Sequence, residues 1–197
     1  MKKALIIGGA GFVGSYLAVE LMRNHAIEVH MTKLPHEQLE LDGGYIYNLN
    51  ILNRDEIVNL LYQIRPDYII HLAAQSSVNV AWNNPGLTIV MDATRELFYK
   101  PNILLIGSGE EYGYIRENEI PIKEENHLRP GNIYAATKAC QNMLANIYAR
   151  AYDMNIISVR AFNHIGPCQS PIFVVSDFCK QVAEIESGKK EPIMYVG

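Results

Sequence analysis

The stretch that most constrains the fold runs from Lys3 to Gly14. Lys3-Ala4-Leu5-Ile6-Ile7-Gly8 is a short apolar run closed by glycine, the pattern of a strand buried on both faces of a parallel sheet. Gly8-Gly9-Ala10-Gly11-Phe12-Val13-Gly14 follows directly, and Leu17, Leu21 and Met22 then recur at helical spacing between Ser15 and His25. Strand, Gly-x-x-Gly-x-x-Gly, helix is the setting in which glycines let a backbone approach a pyrophosphate, which then faces the N–H groups of the helix N-terminus. A plain tight turn would need glycines for packing alone. Position and context favour a dinucleotide, with Gly8, Gly11, Phe12, Val13 and Gly14 as its contacts.

The same alternation continues along the chain. Ile27 to Thr32 reads as a second strand, whose tip carries Met31, Thr32 and Lys33 where an acidic residue would hold ribose hydroxyls and mark NAD. A hydroxyl and a cation there suit a 2′-phosphate, so Thr32 and Lys33 favour NADP(H); NAD(H) stays open, since Lys33 also reads as a solvated loop charge. Gly44 to Leu49 is a third strand ending in Asn50-Ile51. Asn53, with Glu56 three residues on, caps a helix from Arg54 to Ile64 that stops before Pro66. Asp67 to Leu72 is a fourth strand leaving into Ala73-Ala74-Gln75-Ser76-Ser77, small residues against which a flat cofactor can lie. His71 inside that apolar run reads as a core histidine. A helical stretch follows from Pro85 to Lys100, then a strand from Asn102 to Ile106 that opens onto Gly107-Ser108-Gly109-Glu110-Glu111-Tyr112-Gly113. Gly131 to Tyr152 is a long helix, Asn155 to Phe162 a sixth strand and Phe173 to Ser187 a last helix, with Pro192 to Val196 beginning a further strand. The class is α/β, a doubly wound parallel sheet of Rossmann type.

On the long helix Tyr134 and Lys138 are four apart and share a face. A cation near a phenol favours phenolate, and a tyrosine that exchanges a proton near neutrality suits alcohol/ketone chemistry. The pair alone reads equally well as a solvated helix face. Ser108, Tyr134, Lys138 and Asn163 nevertheless all fall at or just past C-terminal strand ends, or on the helix beside them, where open α/β sheets bind ligands.

Composition narrows the partners. A chain of 197 residues, 49% hydrophobic, has room for one sizeable core. A net charge of -4 and a pI near 5.9 give no electrostatic reason for nucleic acid or a membrane surface as partner. No apolar run approaches the roughly 18–20 residues of a membrane span, and the N-terminal run is too short for a signal core. Cys140, Cys168 and Cys179 are odd in number and lack metal spacing, which predicts free thiols in a reducing cytoplasm and no metal site.

Five pieces in order, Gly8-x-x-Gly11-Phe12-Val13-Gly14, Leu72-Ala73-Ala74, Ser108 four before Tyr112-Gly113, Tyr134-x-x-x-Lys138 and Arg160-x-x-Asn163 before Gly166-Pro167, resemble the extended short-chain dehydrogenase/reductases. The nucleotide-sugar-modifying branch fits best. Arg160-Ala161-Phe162-Asn163-His164-Ile165-Gly166-Pro167, Gln169-Ser170-Pro171 and Gly107 to Gly113 look like the GDP-4-keto-6-deoxy-D-mannose reductases, which form GDP-D-rhamnose. The resemblance implies that Ser108, Tyr134 and Lys138 are catalytic, with Tyr134 the proton donor. It also implies that Tyr134, Lys138, Asn50, Ile51, Leu72, Ala73 and Ala74 touch the cofactor, and that Ser76, Glu110 and Asn163 touch a GDP-linked sugar. Glu110 keeps a 4,6-dehydratase open, a 4-epimerase shares the same pair, and a chain that only binds dinucleotide is the non-catalytic alternative. Members are often homodimers. Three departures stand out: Ile7 where a threonine is common, Asn50-Ile51 where Asp-Leu or Asp-Ile is common, and no Asn-Val-x-Gly-Thr segment between Trp82 and Asp92, a stretch about ten residues short. The expected division is a cofactor domain over 1–165 and, over 166–197, the truncated opening of a substrate domain.

Overall fold

The computed structural model describes residues 1–23, 26–73 and 86–196, and the chain divides into two compact units, Met1–Phe162 and Asn163–Gly197. The first holds one parallel sheet of six strands: β1 (Lys2–Ile7), β2 (Ile27–Lys33), β3 (Tyr45–Asn48), β4 (Tyr68–His71), β5 (Asn102–Ser108) and β6 (Asn155–Ala161), in the order β3-β2-β1-β4-β5-β6. Among the described residues, four helices connect them: α1 (Phe12–Arg23), α2 (Arg54–Ile64), α3 (Gly86–Arg95) and α4 (Ile133–Tyr152). Chain order reverses between β1 and β4, and the C-terminal ends beside that reversal are where such sheets open a ligand crevice.

The alternating direction of strand side chains sorts the apolar residues onto two faces. Leu5, Ile7, Ile69, Ile103 and Leu105 pack with Leu61 and Ile64 of α2, Met91 of α3 and Ala145 of α4. Ala4, Ile6, Val29, Met31 and Ile70 pack with Ala18 of α1. Each fully buried leucine or isoleucine contributes about 1.5–3 kcal/mol relative to exposure, so β1, buried from Ala4 through Ile7, anchors both layers. Asn53 caps α2 as its sequence predicts, accepting from the N–H groups of Asp55 and Glu56, and the helix ends on Arg65 in the left-handed region before Pro66.

Several elements differ from the sequence reading, α1 among them, which starts at Phe12 rather than Ser15. β5 continues two residues past Ile106, because Gly107 and Ser108 stay paired with Arg160 and Ala161 of β6. α3 ends at Arg95 rather than Lys100, where the Leu97 N–H turns back to the Thr94 carbonyl in a tightened turn. Pro192 to Val196 is not a strand. In the second unit, which carries α5 (Val174–Glu186), the Tyr195 backbone is held instead by the Gln181 side chain, whose amide donates to the Tyr195 carbonyl at 3.0 Å and accepts its N–H at 2.8 Å. A glutamine amide satisfies that peptide as a neighbouring strand would.

Candidate active site

The glycine turn leaves β1 at its C-terminal end. Gly8 has φ +81° and lies so close to β4 that a Cβ would sit 2.7 Å from the Ala73 nitrogen. Gly14 has no room either, since a Cβ would meet the Gly9 carbonyl oxygen at 2.2 Å. Folding therefore demands both. Gly11 is different: it is exposed, and the nearest atom to a built Cβ is the Gly8 oxygen at 3.6 Å, an ordinary contact. Packing does not explain that glycine, whereas a ligand lying against the backbone does. α1 begins at the next residue with no acidic side chain in its first turn, so the positive end of its dipole is left uncompensated for an anion. These residues fit a pyrophosphate.

Around the turn, the Gly8 N–H donates to Thr32 Oγ1 at 3.1 Å and the Gly9 N–H to the Thr32 carbonyl at 2.8 Å. Thr32 is buried. It staples the end of β2 to the glycine turn, and because its Oγ1 accepts there, the hydroxyl keeps a proton to donate. Lys33 turns onto its own loop, its Nζ donating to the carbonyls of Glu37 at 2.8 Å and Leu34 at 3.4 Å. Asn50 Oδ1 accepts the Leu52 N–H at 3.0 Å, and Ile51 packs against the core. The Leu72 and Ala73 N–H groups both donate to the Ile7 carbonyl, each at 2.9 Å, fixing the β4 exit beside Gly8. Ala74 and Ser76 lie outside the described residues.

A second cluster forms where β5 meets α4. Ser108 ends β5, and its Oγ accepts the Glu110 N–H at 3.2 Å, which leaves the hydroxyl proton available to donate. Gly109 to Tyr112 then make one 3₁₀ turn that points Glu110 outward and buries Glu111. Asn132 caps α4 by accepting the Ala135 N–H at 2.8 Å and donates from Nδ2 to Glu110 Oε2 at 2.7 Å, drawing the β5 turn to the start of the helix. Tyr134 is in the first turn of α4, 36% exposed. Lys138 is buried, its Nζ donates to the Ile106 carbonyl at 2.8 Å, and that Nζ lies 6.0 Å from the Tyr134 ring centroid. The shared helix face read from their spacing is therefore realised, with the lysine under the tyrosine. Burial pushes the Lys138 ammonium down in pKa, and the charge of Glu111 opposes that shift.

His71, the last residue of β4, is buried, and burial holds its pKa down at about 4, so it is neutral at physiological pH and no proton carrier there. Its Nδ1 has no hydrogen-bond partner among the described residues. Asn163 opens the second unit and is exposed. Sequence reasoning overlooked Gly9, buried where a Cβ would strike Met31 Cε at 2.6 Å, and also Glu111 and Asn142. A pair of adjacent glutamates carries no periodic signal for which one turns inward.

Compared with known proteins, the sequence matches the family described as GDP-mannose 4,6 dehydratase over residues 5–197. The chain belongs to that family. Its similarity to GDP-6-deoxy-D-mannose reductase of Pseudomonas aeruginosa is 28% identity over the whole chain and 63% of the relative. To GDP-mannose 4,6-dehydratase of Yersinia enterocolitica it is also 28%, over the whole chain and 59% of the relative. Among solved structures, RMD from Pseudomonas aeruginosa complexed with NADPH superposes with a TM-score of 0.78 at 28% identity, covering 97% of this chain and 64% of that one. The GDP-mannose 4,6 dehydratase family chain thus spans about three-fifths of the length of these relatives, and is an extended short-chain dehydrogenase/reductase by sequence and fold.

Proposed function

We propose that this chain carries the cofactor half and the proton-transfer centre of an NADP(H)-dependent reductase. The reaction is reduction of the C4 ketone of GDP-4-keto-6-deoxy-D-mannose to GDP-D-rhamnose. The observation that carries the reading is Tyr134 over a buried Lys138 on α4, tied through Asn132 and Glu110 to the turn that presents Ser108. The likeness to a reductase of a GDP-6-deoxy sugar, and to a structure with NADPH, supports the substrate and cofactor. In this reading the glycine turn and the α1 N-terminus bind the pyrophosphate, and Lys33 reaches a 2′-phosphate by exchanging its carbonyl acceptors. NADPH when bound supplies the hydride. Tyr134 gives its phenolic proton to the C4 oxygen as the ketone carbon is reduced, and Ser108 donates a hydrogen bond to the same oxygen. Lys138, as an ammonium, offsets the charge left on the phenolate. Asn163 and Ser76 contact the sugar nucleotide. A cytoplasmic location and a homodimer belong to the same proposal.

A second reading, a 4,6-dehydratase, is favoured by one observation: Glu110, on the turn after β5, is an exposed carboxylate held by the α4 cap Asn132, and a dehydratase needs a carboxyl at the sugar. Adding the GDP-keto-sugar to chain and NADPH separates the two. The reductase consumes NADPH in step with GDP-D-rhamnose formed. A dehydratase converts GDP-mannose to the keto-sugar with no net loss of NADPH, and a module that only binds dinucleotide does neither.

A further inference from the structure

One buried carboxylate takes no part in the chemistry above. Glu111 is wholly enclosed, yet it is held on every side. Its Oε1 accepts the Ser108 N–H at 2.8 Å, and its Oε2 accepts from Arg160 Nε of β6 at 3.2 Å and from Asn142 Nδ2 of α4 at 3.3 Å. Arg160 is itself fixed, donating from Nη1 to the Tyr112 hydroxyl and the Glu124 carbonyl, each at 3.0 Å. Room for the acid comes from Gly107, where a Cβ would lie 2.3 Å from Glu111 Oε1. On the same strand end, Lys138 takes the Ile106 carbonyl. The last three residues of β5 are thus gripped by an anion at Ser108 and a cation at Ile106.

Burying an ion pair is costly, and an apolar side chain of similar size would often be as stable or more so. What an apolar residue could not supply is charge and directed acceptors. We propose that Glu111 is a positioning residue of the candidate active site: it fixes Ser108 against β6 and α4, and it is the anion of the buried cluster in which Lys138 holds the end of β5 beneath Tyr134. This rests on the roles assigned above to Ser108, Tyr134 and Lys138. The groups facing Glu111 are Arg160 from β6, Lys138 and Asn142 from α4, and Tyr112 from its own turn. Those acting on Lys138 are Glu111, Tyr134 of its own helix and, from β4, His71, which is neutral above about pH 4. Burial alone drives a lysine toward the neutral amine, and Glu111 is the opposing charge.

The test reads Lys138 directly in the cofactor-free chain, by carbon-13 labelling of lysine side chains and titration of the Lys138 signal, assigned with Lys138→Arg. In Glu111→Gln the Lys138 titration is expected to shift down from its position in the unaltered chain. Turnover should fall about tenfold or more while KM for NADPH changes less than about twofold, because a displaced Ser108 and a neutral lysine act on the transition state. Should Glu111→Gln not fold, the ionisation of Glu111 is read in the unaltered chain from its own carboxyl carbon. A Lys138 titration unchanged in folded Glu111→Gln overturns the proposal. So does a protonated Glu111 carboxyl at neutral pH in that measurement. Lack of NADPH oxidation would overturn the reductase reading instead, leaving the Lys138 titration to decide this one.

Discussion

Tyr134→Phe deletes one oxygen and keeps the ring that sits over Lys138. The proposed proton donor is lost while the glycine turn is untouched, so turnover is expected to fall by about a hundredfold or more with NADPH affinity nearly unchanged. Stopped-flow oxidation and fluorescence titration of NADPH check the two halves, and an unchanged rate rules out the assigned acid. The glycines offer a sharper residue-scale contrast. Gly8→Ala forces a side chain into a positive-φ site against Ala73 and is expected to cost about 2 kcal/mol or more in urea unfolding. Gly11→Ala meets only ordinary contact, so stability should move by less than about 1 kcal/mol while dinucleotide affinity falls at least about tenfold. Equal stability losses at the two positions would remove the reason to place a ligand at Gly11. Their spacing was legible in the sequence; which glycine serves packing and which serves a ligand was not, because that depends on the distance to Ala73 from another strand. The structural partner of Thr32 was illegible for the same reason: Gly8 lies 24 positions away.

At the scale of elements, period and punctuation placed every strand of the sheet, and α2 was legible to the residue through Asn53 and Pro66. The failures cluster where one element borrows from another. Gly107 looked like the end of β5 because glycine usually breaks a strand; it stays in the ladder because Glu111 needs the space. The Tyr195 segment looked like a strand by composition, but Gln181 of α5 supplies its partner. β4 yields a prediction of its own. His71 ends it in a buried place that holds the imidazole neutral, with a folded pKa of about 4 against 6.5 when free. A histidine depressed in this way adds stability that is whole above about pH 6.5. As pH falls toward about 4 the unfolded chain takes up a proton that the folded chain refuses, and the stability is lost. The loss is on the order of 3 kcal/mol. Urea midpoints should therefore drop across that window, and His71→Leu should show a drop smaller by about that amount. Identical acid profiles for the two proteins would mean that His71 is not excluded from protonation in the fold.

For the whole molecule, the question is whether the sheet crevice alone recognises a dinucleotide when the chain spans about three-fifths of its relatives' length. The crevice between β1 and β4, the Gly11 opening and the start of α1 all lie within Met1–Phe162, one compact unit with its own two-faced core. Whatever binds only the folded form raises its stability by mass action, about 2.7 kcal/mol at a hundredfold excess over Kd. In a chain of this length each kcal/mol moves Tm by roughly 2–4 °C, so saturating NADPH should raise Tm by about 5–10 °C. The cofactor choice adds a difference term. Thr32 is buried with its Oγ1 accepting from Gly8, so among the described residues Lys33 is the one cation at the end of β2 that can set a preference for a 2′-phosphate. Lys33 must release the Glu37 carbonyl to do so, which makes the preference modest: NADPH should exceed NADH by about tenfold in affinity, or roughly 1.4 kcal/mol and a few degrees in Tm. Lys33→Ala should abolish that gap and leave the NADH shift intact. Equal shifts in the unaltered chain would remove the NADP(H) preference while keeping the dinucleotide site, whereas no shift with either cofactor would take the crevice itself out of the account.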